Sequence, residues 1–293
     1  MFTESDCRLI LFACIEPADV NLSKFIFEYG AKDVYYRLIY EKNNLYSKRF
    51  PKVINKVSNC NLPKLKEEIA KSECQLITPE DSDWPLGAND LDTPPIALLI
   101  KGRRDALKEL NKSISIVGSR KPTNYGVQIA RYLSRRAAEC GVLVVSGGAV
   151  GIDSTAHVDS IAINGSTISV QAAGFNHLYP KENIKLFTEI MKSGLLISEV
   201  MPDTPSKPHR FLIRNRLIAA LSKATVVVEA EYVSGSIRTA IDAAEIFRPV
   251  FAVPGEVTSP LSQGCHRLIA ERIADIATNF EDILDVILPL QIR

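Results

Sequence analysis

Residues 113–153 read SISIVGSRKPTNYGVQIARYLSRRAAECGVLVVSGGAVGID. Two short apolar runs, Ser113–Val117 and Val142–Ser146, bracket one long amphipathic segment, Gln128–Cys140, which Gly141 ends. Glycines follow both runs, Gly118 after the first and Gly147, Gly148 and Gly151 after the second. Short runs rich in Ile and Val, whose only polar residues are serines, fit strands covered on both faces. A helix joining two such strands is the crossover of a parallel pair. The pattern then continues toward the C-terminus. Helices are expected at Asp153–Ile163, Glu182–Lys192, Leu212–Leu221 and Gly235–Ile246, and strands at Thr167–Gln171, Leu195–Ser198, Thr225–Glu229 and Val250–Val253. This alternation predicts an α/β fold with a doubly wound, mostly parallel sheet. Such sheets bind ligands outside the carboxyl ends of their strands, where the winding reverses.

Toward the N-terminus the pattern is different. Apolar residues recur at helical spacing through Leu9, Ile10, Ala13 and Cys14, then Leu22, Phe25, Ile26 and Tyr29, with Gly30 as a stop. Leu62–Ala70 is a further helix with Pro63 in its first turn. Lys42–Asn59 is polar and basic and reads as a loop or weak helix with solvated lysines. Residues 76–113 form a connector broken at Asp83-Trp84-Pro85 and Thr93-Pro94-Pro95, with one strand at Ile96–Ile100. The expected organisation is a small helical N-terminal domain, 1–75, and an α/β domain, 76–293, that ends in a short helical tail, Asn279–Leu288.

Composition narrows the class. The 293 residues are 46% hydrophobic and 24% charged, which is the globular range. Lys and Arg number 35 and Asp and Glu 34, so a chain that grips phosphate must do it with a local cluster of cations. None of the six cysteines stands in a CxxC pair, so no structural metal or disulfide is expected and a reducing cytoplasm fits. No apolar run approaches the ~20 residues that span a bilayer, and the signal-peptide pattern is absent. A cytoplasmic protein without membrane contact is the expectation.

The loops after the strands carry the chemistry. Gly118-Ser119-Arg120-Lys121 precedes a helix and reads equally as a phosphate seat or as a glycine turn with solvated charges. It is neither GxGxxG nor a P-loop. In the second loop, Gly147 and Gly148 allow close backbone approach, while Asp153 reads as a helix cap and His157 as a packing residue. The third loop places Phe175 and Tyr179 beside Lys181 and Asn183. Rings next to a cation are the parts of a single-stranded nucleic-acid site, although each ring alone reads equally as loop packing. Residues 206–216 hold four basic side chains and a histidine without an acid. Arg210 and Arg214 are i,i+4 and would share a helix face as a phosphate clamp beside Asn215, while Arg216 points elsewhere. The last loop offers Ser234, Gly235 and Ser236 at a helix start, a further phosphate seat. Glu229 and Glu231 would face one side. Acid–base work is one reading of that pair, and capping with loop hydrogen bonds is the preferred one. No nucleophile has an assigned base, so no catalytic residue is nominated.

In family order over roughly 76–270, these loops resemble the DprA/Smf family of DNA-processing proteins. The matching text is Ile116-Val117-Gly118-Ser119-Arg120, the glycine loop Ser146–Asp153, Tyr179-Pro180-Lys181-Glu182-Asn183 and Ser198-Glu199. It continues through Phe211–Ala219, Val228-Glu229-Ala230 with Ser234-Gly235-Ser236, and Val253-Pro254-Gly255 with Ser262-Gln263-Gly264-Cys265. The resemblance implies a Rossmann-like domain without a nucleotide cofactor. It implies a homodimer that binds and protects single-stranded DNA and helps load RecA recombinase during natural transformation. It puts Arg120 and Lys181 on phosphate, Arg210 and Arg214 on the rim, and Phe175 and Tyr179 forward as stacking rings. Val150 departs from the arginine many members carry there, and no counterpart of their C-terminal winged-helix domain is expected. The alternative is a nucleotide-binding enzyme of the same fold, such as a nucleoside monophosphate phosphoribohydrolase using Glu229 or Glu231. The chain lacks the Pro-Gly-Gly-x-Gly-Thr loop of that class.

Overall fold

The structure is a computed structural model that describes residues 2–40 and 50–288. Helices fill the first part: α1 (Glu4–Cys14), α2 (Leu22–Tyr29), α3 (Ala31–Tyr40), α4 (Pro51–Ser58) and α5 (Leu62–Lys71). Local signals start and stop them. Thr3 caps α1 in a reciprocal box with Asp6, each donating a backbone N–H to the other's side chain at 3.1 Å. Gly30 ends α2 at φ +85°, a conformation that favours glycine. Of the basic stretch Lys42–Asn59, residues 42–49 lie outside the described residues. Pro51–Ser58 within it is helical, with proline in the first turn.

The α/β part is built on nine strands among the described residues: β1 (Gln75–Ile77), β2 (Leu98–Gly102), β3 (Ser113–Val117), β4 (Leu143–Ser146), β5 (Thr167–Gln171), β6 (Leu195–Ser198), β7 (Ala224–Val227), β8 (Val250–Ala252) and β9 (Asp275–Ile276). They form one sheet in the order β1-β2-β6-β5-β4-β3-β7-β8-β9. From β6 to β9 all neighbours are parallel, whereas β2 runs antiparallel to β6 and β1 antiparallel to β2. The fold is thus α/β, Rossmann-like and mostly parallel. After β1 and β2 have formed one edge, the parallel part starts in the middle, at β3. It winds outward through β4, β5 and β6, then returns to lay β7 on the other side of β3, with Val117 opposite Val227. The reversal therefore falls between β3 and β7.

Both faces of the sheet are covered. The crossover helices are α6 (Asn124–Glu139), α7 (Ile152–Ile161), α8 (Ile184–Ser193), α9 (Pro208–Ala220) and α10 (Gly235–Glu245), followed by α11 (Gln263–Ala270) and α12 (Phe280–Ile287). Ile114 and Ile116 pack with α6, α7 and α12 on one face. On the other, Val117, Val145 and Val227 pack with α9, α10 and α11. Strand β3 also buries two serines, and both are satisfied: Ser113 Oγ donates to Leu110 O at 2.8 Å and Ser115 Oγ to Thr225 Oγ1 at 2.9 Å. The N-terminal helices share an apolar cluster with α8 and with Leu99 and Leu196 of the sheet. No helix among the described residues is long and apolar enough to cross a membrane.

Two helix starts differ from expectation in a way that matters for the site. Helix α6 begins at Asn124 rather than Gln128, because the Thr123 side chain accepts from Gly126 N at 3.2 Å and caps it. Helix α9 begins at Pro208, one turn before Leu212, because proline fits the first helical turn. Arg210 and Phe211 are therefore helical.

Candidate functional site

Outside the carboxyl ends of β3 and β7 lies a cleft of about 790 Å³. Its walls are the β3–α6 loop, one face of α9, the first turn of α10 and Tyr179. The fold of the first loop follows from its hydrogen bonds. Ser119 N donates to Glu229 O at 2.7 Å, and Ile152 N donates to Ser119 O at 3.1 Å. Ser236 Oγ donates to Gly118 O at 2.9 Å, which ties the start of α10 to the same loop. Gly118 admits no side chain, since a Cβ there would lie 2.7 Å from Ile152 Cγ1. These bonds hold the loop backbone while Arg120 and Lys121 stand exposed at its tip. Among the described residues no acid pairs with either cation.

Arg120 faces an aromatic platform. Its guanidinium carbon lies 5.7 Å from the centre of the Phe211 ring. Tyr179 meets that ring edge-on at 5.4 Å and remains 44% exposed. Val150 lines a recess beside this platform together with Gly147 and Arg214. Opposite, Ser234 caps α10 and accepts from Ile237 N, so the first amides of α10 and the Ser236 hydroxyl border the cleft. Asn215 Nδ2 donates to Gly235 O at 3.0 Å and fixes α9 against that turn.

The two arginines expected to clamp phosphate together have different destinations. Arg214 reaches the cleft wall but is buried, and it donates to Gly147 O at 2.7 Å and to Val170 O. A Cβ at Gly147 would sit 2.5 Å from this guanidinium, so glycine makes the bracing possible. Burial lowers the Arg214 pKa to about 10, with Asp153 opposing that shift, and the group stays cationic at neutral pH. Arg210 does not line the cleft. It is buried against the N-terminal helices, donating to both carboxylate oxygens of Glu16 at 2.7–3.1 Å and to Pro205 O at 2.7 Å. Four residues apart on a helix is the same face only approximately, and Glu16 draws Arg210 to its own side. Arg216 is held by Glu199, with both contacts at 2.6 Å.

Other nominated residues are also redistributed. Phe175 is 7% exposed and packs with Phe187, Leu196 and the N-terminal helices, so its ring is core and unavailable for stacking. Lys181 is exposed on a short 3-10 turn outside the cleft wall. Asn183 donates to Gly148 O at 2.9 Å and braces the glycine loop. Gly148 is required there, at φ +68° and with Phe187 Cε1 2.5 Å from the position of a Cβ.

Asp153 was expected to cap the helix that follows it. Instead it accepts from Ala149 N at 3.4 Å in the preceding loop, because it already lies in the first turn of α7. Burial raises its pKa, and the nearby Arg214 opposes the rise. His157 is fully buried, and burial with the Arg214 charge pushes its pKa down to about 3. Thr167 Oγ1 donates to Val144 O, so at 2.6 Å it accepts the proton of His157 Nδ1, which leaves Nε2 a bare acceptor. The Glu229 carboxylate accepts from Thr123 N at 2.9 Å and Thr123 Oγ1 at 2.5 Å and is 4% exposed, whereas Glu231 stands exposed at the cleft lip. No three His, Cys, Asp or Glu side chains among the described residues could jointly hold a metal.

Phe211 is a ring of the site that the sequence pattern does not single out. Its signal was its i,i+3 spacing to Arg214, legible only once Pro208 is taken as the helix start.

Comparison with known proteins gives a consistent match. The family model described as DNA recombination-mediator protein A matches residues 75–288. The DNA processing protein DprA of Bacillus subtilis is 37% identical over 224 residues, 76% of this chain and 75% of that protein. A putative DNA processing protein DprA of Mycobacterium tuberculosis is 39% identical over 224 residues, 73% of this chain but 57% of that protein. Among solved structures, DprA from Streptococcus pneumoniae superposes with a TM-score of 0.74 at 32% identity, covering 80% of this chain and 81% of that one. DprA from Helicobacter pylori, a structure described as concerning its single-stranded DNA binding mode, gives 0.65 at 31% identity, covering 73% and 96%.

Proposed function

The chain belongs to the DNA recombination-mediator protein A family, and from that premise we propose that it binds single-stranded DNA in the cleft between the carboxyl ends of β3 and β7. The observation that carries this reading is the pairing of unpartnered cations with open rings. Arg120 and Lys121 are exposed without an acid among the described residues, and Arg120 lies over Phe211, which Tyr179 buttresses. A single strand offers a phosphate for each cation and an unstacked base for each ring, whereas a duplex keeps its bases stacked inside. The Helicobacter pylori relative's described single-stranded DNA binding supports the choice of ligand.

In the same reading the bound strand is protected and passed to RecA recombinase, and the protein acts as a homodimer in the cytoplasm. It needs no cofactor, and its work is binding rather than turnover. Glu229 bears on this last point, since both of its oxygens are engaged by Thr123 and it is poorly placed to serve the phosphoribohydrolase alternative.

Titration of a fluorescent oligo-dT across a salt series, with an equal-length duplex as control, tests the proposal. Two phosphates neutralised in the cleft, at Arg120 and Lys121, predict that log K falls with log salt at a slope of roughly −1.4. Equal affinity for the duplex, or no binding at low salt, overturns the reading, and a nucleoside monophosphate hydrolysis screen follows.

A further inference from the structure

A second cation–aromatic pair lies beyond the β7 side of the cleft. Tyr232 falls between Glu231 and Ser234, both of which are in the cleft wall, and is 52% exposed. The Arg267 guanidinium of α11 sits 4.7 Å from the centre of its ring. The adjacent Val233 is 83% exposed.

Backbone hydrogen bonds fix this arrangement. Ala230 N donates to Leu261 O at 2.7 Å, and Gly264 N donates back to Ala230 O at 2.9 Å, so the start of α11 is locked to the strand that leaves β7. The fit is close enough that a Cβ on Gly264 would stand 2.6 Å from Glu231 O. Arg267, one turn along α11, is further steadied by Glu271 at 2.9 Å.

A tyrosine covered by an arginine is common on protein surfaces. This one differs in its position. It lies along the same sheet edge as the Arg120–Phe211–Tyr179 platform, on the opposite side of the cleft, with the first turn of α10 between the two. A strand that fills the cleft and continues past Ser234 reaches Tyr232 next.

We propose that Tyr232, backed by Arg267, is a second base-stacking platform for single-stranded DNA leaving the cleft over the N-terminus of α10. The inference rests on the proposed function and adds a path to it. The strand crosses the carboxyl edge of the sheet from the β5 side to the β8 side, held by bases at each end and by phosphates in the middle.

The test is a length series of labelled oligo-dT, from about 4 to about 16 nucleotides, against the wild type, Tyr232→Ala and Tyr232→Trp. The alanine variant is expected to lose about tenfold in affinity for the long oligomers and nothing for the shortest that fills the cleft. The tryptophan variant is expected to keep full affinity, and long oligomers should quench its emission beyond any change in the wild type, whose single Trp84 is buried. Unchanged affinity of Tyr232→Ala at every length overturns the inference. So does an equal loss at every length, which reports a disturbed cleft. If the wild type binds no oligomer of any length, the proposed function fails and the second platform fails with it.

Discussion

Replacing Arg120 by alanine is expected to weaken single-strand binding and flatten its salt dependence without touching the fold. Arg120 is exposed, and no acid among the described residues holds it, so its removal leaves no buried group unpaired. Substitutions at such sites change stability by about 0.5 kcal/mol or less. Binding loses two things. One charge-assisted hydrogen bond to phosphate contributes about 1.5–3 kcal/mol, and the contact that orders Phe211, at 5.7 Å, adds about 0.5–1 kcal/mol at an exposed site. At 1.4 kcal/mol per factor of ten, the affinity falls by roughly 30- to 700-fold. The loss of one phosphate contact also makes the slope of log K against log salt shallower by about 0.7. Fluorescence anisotropy of a labelled oligo-dT at four or more salt concentrations measures both quantities. Arg120→Lys is the control, because it keeps the charge and so the slope but loses part of the ring contact. A full slope in Arg120→Ala, whatever the change in affinity, refutes the assignment of Arg120 to phosphate.

Further outcomes follow from the neighbours of the cleft. Arg214→Ala strips two carbonyls of their donor and leaves Asp153 buried without its cation, so urea unfolding should show a loss of about 3–5 kcal/mol, and a loss below 1 kcal/mol would contradict the bracing role. His157 has a folded pKa near 3 against about 6.5 unfolded, so the unfolded chain takes up a proton the folded chain refuses and stability falls as pH drops through 6.5 toward 3. Between pH 7.5 and 5.5 this group accounts for about 1.4 kcal/mol, and His157→Gln should lose that much less over the same interval. Glu231→Gln removes an exposed acid from the cleft lip and should tighten oligo-dT binding a few-fold at low salt, with the gain vanishing at high salt. Val150→Arg adds a cation beside the Phe211 platform and should steepen the salt slope by about 0.7, which the same titration reads.

The central strands were legible because each is a short run rich in aliphatic and β-branched residues, followed by a turn, and that is a local property. Glycines at Gly118, Gly147 and Gly148 were legible for the same reason, since a turn that admits no Cβ leaves its mark in one or two residues. Strands β1 and β9 were not. Each is only two or three residues long at an edge of the sheet, and β9 is exposed along its length, so neither shows a periodicity.

The site divides along the same line. Its location followed from the alternation of strands and helices, which sets where the winding reverses. The fate of each charge did not, because it depends on residues far away in the chain. Arg210 is claimed by Glu16, 194 positions earlier, and Arg214 by the carbonyls of Gly147 and Val170. Phe175 shows the same limit. Its neighbours Phe187 and Leu196 made a buried ring out of one that the adjacent lysine suggested was open. Phe211 became visible as a platform only with the true start of α9.

The claim that a single strand occupies this cleft is tested most directly by cross-linking. An oligo-dT carrying 4-thiothymidine is irradiated with the wild-type protein, and the attached peptides are mapped by mass spectrometry. The account predicts attachment within residues 118–125, 179–183 and 208–215, competed by unlabelled single strand. Attachment confined to the N-terminal helices or to the amino ends of the strands, with those three segments unmodified, would contradict it.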